Sequence, residues 1–104
     1  MDLNILKDLE NLYNEIGQMA NGERFGANHS DYKPDINRFE RLVYSFYEIV
    51  STLELPINTM RDVIDGQNSL NRQFMVLRCV SDNNKYETMK NIFSEIEQLM
   101  NCLY

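Results

Sequence analysis

His29 is the one histidine in this chain, and Cys79 and Cys102 are its two cysteines. These are the side chains best suited to metal ligation, nucleophilic attack or proton transfer near neutral pH. A single histidine excludes histidine-rich metal sites and di-iron carboxylate bundles built on Glu-x-x-His pairs. Asp65 before Gly66 has the start of a calcium loop, but the alternating acidic ligands ahead of the glycine and the distal glutamate are missing. There is no glycine loop to cradle phosphates and no nucleophile elbow. On the helices assigned below, the two cysteines stand on the order of 27 Å apart, far beyond the roughly 7 Å a disulfide tolerates. Two free thiols and a reducing compartment are expected, with Cys79 buried as a packing residue. No metal or cofactor is implied, and the chain reads as a non-enzyme.

Arg24 and His29, in "RFGANH", have an Arg-x4-His spacing. It resembles the motif of the HEPN-type ribonucleases, helical proteins in which such a pair attacks and stabilises RNA phosphate. The resemblance covers six residues and implies metal-independent RNA cleavage through Arg24 and His29. In that family the pair belongs to a helical setting within a dimer, whereas here a glycine stands between the two residues.

The elements that would position these groups are helical. With 104 residues, one domain is expected, and a chain of this size can close a core without staples. Ile5, Leu9, Leu12, Ile16 and Met19 step by four and three, which predicts an amphipathic helix over about 3–20. "NG" at Asn21 and Gly22 ends it. Residues 21–33 have no period and read as a loop. Pro34 and Asp35 suit the start of a second helix over about 34–54, with Ile36, Phe39, Val43, Phe46, Val50 and Leu53 as its seam. A third helix over about 57–80 places Met60, Val63, Ile64, Leu70, Phe74 and Leu77 inward, with Gly66 as a kink or split. Asn84 and Glu87 have the spacing of a capping box, opening a fourth helix over about 84–103 whose seam is Tyr86, Met89, Phe93, Ile96, Met100 and Leu103. Short links after the second and third helices predict antiparallel neighbours, hence an all-α antiparallel four-helix bundle. The long first loop leaves the first helix free to dock in its own chain or to swap into a neighbour.

Charge separates the third helix from the rest. The chain carries −6 overall and a pI near 4.6, a balance that repels nucleic acid and anionic lipid. Residues 56–81 alone are net positive, through Arg61, Arg72 and Arg78 against Asp62 and Asp65. That permits a helix-turn-helix reading of 58–80, turning at Gly66. Met60, Ile64 and Leu70 would pack, and Arg61, Ser69, Asn71 and Arg72 would face nucleic acid. Arg61 and Gln67 depart from that motif, and the overall acidity opposes it. No apolar run is long enough to span a membrane, and "MDLNILKDLENLY" lacks the features of a signal peptide. A cytoplasmic location follows as the expectation, and the sequon at Asn28 is then coincidental.

"QFMVLRCV", residues 73–80, is apolar on more sides than one bundle seam needs. Phe74 and Leu77 point inward in this register, leaving Met75, Val76 and Val80 to form a patch of the kind that marks contact sites. The expected partner or dimer interface is Met75, Val76, Arg78 and Val80, with Phe25 and Tyr32 from the loop, which could instead fold over the run. The sequence therefore reads as a small acidic module that binds another protein, as a regulator, inhibitor or immunity-type partner. Its acidity would complement a basic surface on the target, and a homodimer is expected.

Overall fold

A computed structural model describes residues 3–22 and 35–103. Among them are four helices: α1 (Leu3–Ala20), α2 (Ile36–Ser51), α3 (Ile57–Cys79) and α4 (Asp82–Leu103). They pack in a ring, α1 against α2 and α4, and α3 against α2 and α4. Cross-helix pairs run in opposite directions along each partner: Tyr44 meets Asn71 and Glu40 meets Arg78, Gln73 meets Glu95 and Leu77 meets Lys85, and Tyr13 meets Glu97 while Gly17 meets Phe93. The bundle is therefore antiparallel around its circumference, with α1 packed against α2 and α4.

Local chemistry sets the boundaries. Asp35 caps α2 by accepting a hydrogen bond from the Arg38 backbone N–H at 3.0 Å, the geometry that serves an otherwise orphaned donor at a helix start. The helix expected to reach residue 54 stops at Ser51. Thr52 turns its backbone N–H and its hydroxyl onto the Ile49 carbonyl, which closes the last turn. Pro56 then occupies the cap position of α3. The fourth helix starts at Asp82, two residues earlier than the Asn84–Glu87 capping box predicts. The Asn84 N–H bonds instead to the Ser81 carbonyl at 2.9 Å.

The far end of α3 is held by a side chain from α4. Lys85 donates to the Leu77 carbonyl at 2.9 Å and to the Val80 carbonyl at 3.0 Å. A cation at this position satisfies acceptors that the helix cannot satisfy itself and complements the negative end of the helix dipole.

The interior among the described residues is built of apolar residues, with the buried Tyr47 and Tyr86 hydroxyls as polar atoms within it. Leu9, Ile16, Phe39, Val43, Phe46, Val50, Leu70, Phe74, Leu77, Met89 and Ile96 are buried, and no charged or polar residue joins them. Most of the predicted seams hold. Exceptions occur on α3 and α4. Ile64, expected inward, is exposed on α3, and Met60 is half-buried. Ile92 and Leu99, expected at the flanks, are buried, while Ile5, Leu12, Met19, Ile36, Leu53, Phe93 and Leu103 of the seams are half-buried against the core.

Gly66 neither kinks nor splits α3, which runs unbroken through it. Its role is steric. A methyl group at Gly66 would lie 2.7 Å from the Tyr47 hydroxyl oxygen and 2.8 Å from its ring, so the ring occupies the space a side chain would fill. Gly17 does the same for Phe93, whose ring edge would lie 2.9 Å from an added methyl.

Gly66→Ala should lower the unfolding free energy by about 1–3 kcal/mol through overpacking. In a Tyr47→Leu background the sign should reverse, because alanine then recovers up to about 1 kcal/mol of helix propensity. Urea midpoints of the four variants decide it; one sign in both backgrounds would refute the seat. Lys85→Met should cost about 1 kcal/mol, and no measurable loss would show that water serves those carbonyls equally well.

Candidate functional site

Two features of α3 face away from the core. The first is its outer surface. Ile57, Ile64 and Met75 are separated by seven and eleven residues, so at 100° per residue they line up within about 20° of one another. They are 73%, 48% and 66% exposed, and Val76, next to Met75 in sequence but about 100° round the helix, is 47% exposed. Only two other large hydrophobic residues among the described ones are exposed, Leu3 and Tyr44, so the exposed apolar surface is concentrated on α3.

The predicted interface residues separate into three groups. Met75 and Val76 are exposed together, as expected. Val80 is half-buried, and Arg78 is engaged, its guanidinium paired with the Glu40 carboxylate of α2. Phe25 and Tyr32 lie outside the described residues, as do Arg24 and His29. Cys79, expected in the core, is exposed, because it falls on the outer face of the last turn of α3; both thiols are free.

The helix-turn-helix geometry is not formed by 58–80, since there is no turn at Gly66. Of the residues assigned to nucleic acid in that reading, Asn71 accepts a hydrogen bond from the Tyr44 hydroxyl at 2.8 Å. The Ser69 hydroxyl donates to the Gly66 carbonyl at 2.9 Å and accepts from Gln73 at 2.8 Å. Arg61 and Arg72 are exposed.

The second feature is a cavity of about 420 Å³ on the side of α3 that meets α4. Tyr47 of α2 reaches it over Gly66. Asp62, Asp65 and Ser69 of α3 and Glu95 and Gln98 of α4 surround it, and no lysine or arginine lines it. Tyr47 is 1% exposed, whereas the three carboxylates stand in solvent. The phenol is thus the floor and the carboxylates are the rim. The Tyr47 hydroxyl has no hydrogen-bond partner among the described residues. Burial, reinforced by the nearby Glu95 carboxylate, pushes its pKa well above the ordinary phenol value.

The sequence places Tyr47 on the flank of the second helix's stripe, and Asp65–Gly66 lacks the further ligands a calcium loop needs. The available signal was the pair Asp62 and Asp65, one helical turn apart beside a mid-helix glycine. Three histidine, cysteine or acidic side chains close enough to hold one metal ion do not occur among the described residues, so the carboxylates surround a space rather than a point. None of the helices is long and apolar enough to cross a membrane, among the described residues. Comparison with family models, curated proteins and solved structures finds no match.

A buried hydroxyl without a partner costs stability, and the phenylalanine isostere removes it. Tyr47→Phe should be at least as stable as the parent at pH 7, by up to about 1 kcal/mol. The parent's phenol keeps its proton in the folded state after the unfolded chain has released it near pH 10. Stability should therefore be intact below about pH 10 and fall as pH rises above it. Tyr47→Phe should show a shallower alkaline loss in urea midpoints between about pH 9 and 11; identical slopes would refute the assignment.

Proposed function

We propose that this chain works by binding protein, with the outer face of α3 as its contact surface. The observation that carries this reading is the alignment of Ile57, Ile64 and Met75 on the solvent side of a helix whose other face already fills the core. A monomer gains nothing from exposing such a row, whereas an interface centre is built from apolar and methionine side chains with arginine among them.

Charge supports a second copy of the chain as an occupant. Each copy carries −6, and two such chains repel unless they meet where that charge is absent. Residues 56–81 are the one helical segment with a net positive balance, one charge from three arginines and two aspartates. Pairing α3 with α3 therefore joins the two copies at their least repulsive surface. The acidic helices remain outward, suited to a basic surface on a target protein, which fits a small regulator or inhibitor.

Light scattering behind a sizing column, over a range of concentrations, tests the pairing. The expected mass is twice 12.3 kDa, and Met75→Glu should return it to the single-chain value without changing the helical circular dichroism. A dimer that survives both Met75→Glu and Ile64→Glu would place the contact elsewhere. A parent that stays single-chain at every concentration would overturn self-pairing through α3.

A further inference from the structure

The cavity between α3 and α4 has a composition that the interface reading leaves unused. Its rim carries three carboxylates, Asp62, Asp65 and Glu95, and no lysine or arginine lines it. Acidic residues on a helical protein are ordinary by themselves. The second observation is the Tyr47 hydroxyl, almost fully buried, lining the same cavity and without a hydrogen-bond partner among the described residues. A buried oxygen of this kind carries a desolvation cost that a bound hydrogen-bonding group would relieve.

We infer that this cavity is a binding site for an organic cation that carries N–H donors on an alkyl stem, an alkylguanidinium or alkylammonium group. The donor atoms fit the acceptors present. A guanidinium offers five N–H groups and no acceptor, while the rim presents carboxylate oxygens and the floor a phenol oxygen with free lone pairs. Glu95 already accepts from the Gln73 amide at 3.3 Å, which leaves its remaining lone pairs for the ligand. Leu99 and the Tyr47 ring supply apolar surface for the stem. The separation of the carboxylates favours a delocalised cation over a single metal ion, consistent with the lack of a three-ligand cluster among the described residues. The volume, about 420 Å³, lies in the range of small-molecule sites. This site is on a different side of α3 from Met75, so it stands or falls independently of the dimer.

The cation could arrive as a free small molecule or as an arginine side chain of another protein, and two ligands separate these sources. The folded full-length chain is titrated with butylguanidinium and with a capped Gly-Arg-Gly peptide, following the backbone amide resonances of Gly66, Ser69 and Leu99. The neutral isostere butylurea is the control. Butylguanidinium is expected to give saturable shifts at millimolar concentrations, and butylurea none. Tyr47→Phe, which keeps the fold and the ring, should weaken binding about tenfold, the value of a hydrogen bond to a charged group. Asp65→Asn should weaken it similarly. If the peptide binds as well, the source is a side chain borne on protein; if only the free cation binds, the source is a small amine. Absence of saturable shifts, equal shifts with butylurea, or undiminished affinity in Tyr47→Phe would each overturn the inference.

Discussion

An aromatic ring resting on a backbone that carries no side chain is the contact on which this bundle depends. Tyr47 lies on Gly66 and Phe93 lies on Gly17. The two contacts join α2 to α3 and α1 to α4, across two of the four sides of the ring of helices. Interiors are packed to near-crystalline density, so a ring of this size needs its space cleared on the facing helix. Glycine clears it at a cost of about 1 kcal/mol of helix propensity, which the buried ring offsets through area removed from water.

The same contact shapes what the surface can do. Because Tyr47 rests on α3 at a glycine, the residue lines the cavity between α3 and α4 while its hydroxyl stays buried. Its ring is a packing element and its oxygen is a binding element. Isolated, the oxygen is a defect by the standards of a folded interior. Such departures from local consistency are expected where a chain does something besides fold.

Legibility followed the strength of the periodic signal. The seams of α2 and α4 repeat every three or four residues for five turns, and those helices lie within two or three residues of where the pattern places them. The helix expected to end at residue 54 ended early because Thr52 satisfies the last turn with its own groups. Gly66 misled in a specific way. A mid-helix glycine reads as a break when only local propensity is considered, yet here its role is set by a tyrosine nineteen residues earlier in the chain. Ile64 misled for a related reason, since an isoleucine beside Val63 looks inward until the neighbouring helix chooses one of the two. Met75 and Val76 were legible because "QFMVLRCV" holds more apolar surface than one seam can bury. The cavity was not, because its residues come from three helices and only folding brings them together.

The direction of the helices has a consequence for anything attached to this chain. Tyr13 lies beside Glu97 and Gly17 beside Phe93, so α1 begins where α4 ends. Asp62 and Cys102 lie toward that same end of the bundle, Glu95 is nearer its middle beside Gln73, and Met75 lies toward the opposite end. A segment tethered to either end would meet the cavity at an effective concentration on the order of millimolar. A single basic side chain on such a tether, too weak to hold as a separate molecule, would compete there with any free cation, so the choice of tag or fusion partner is itself a perturbation of the cavity.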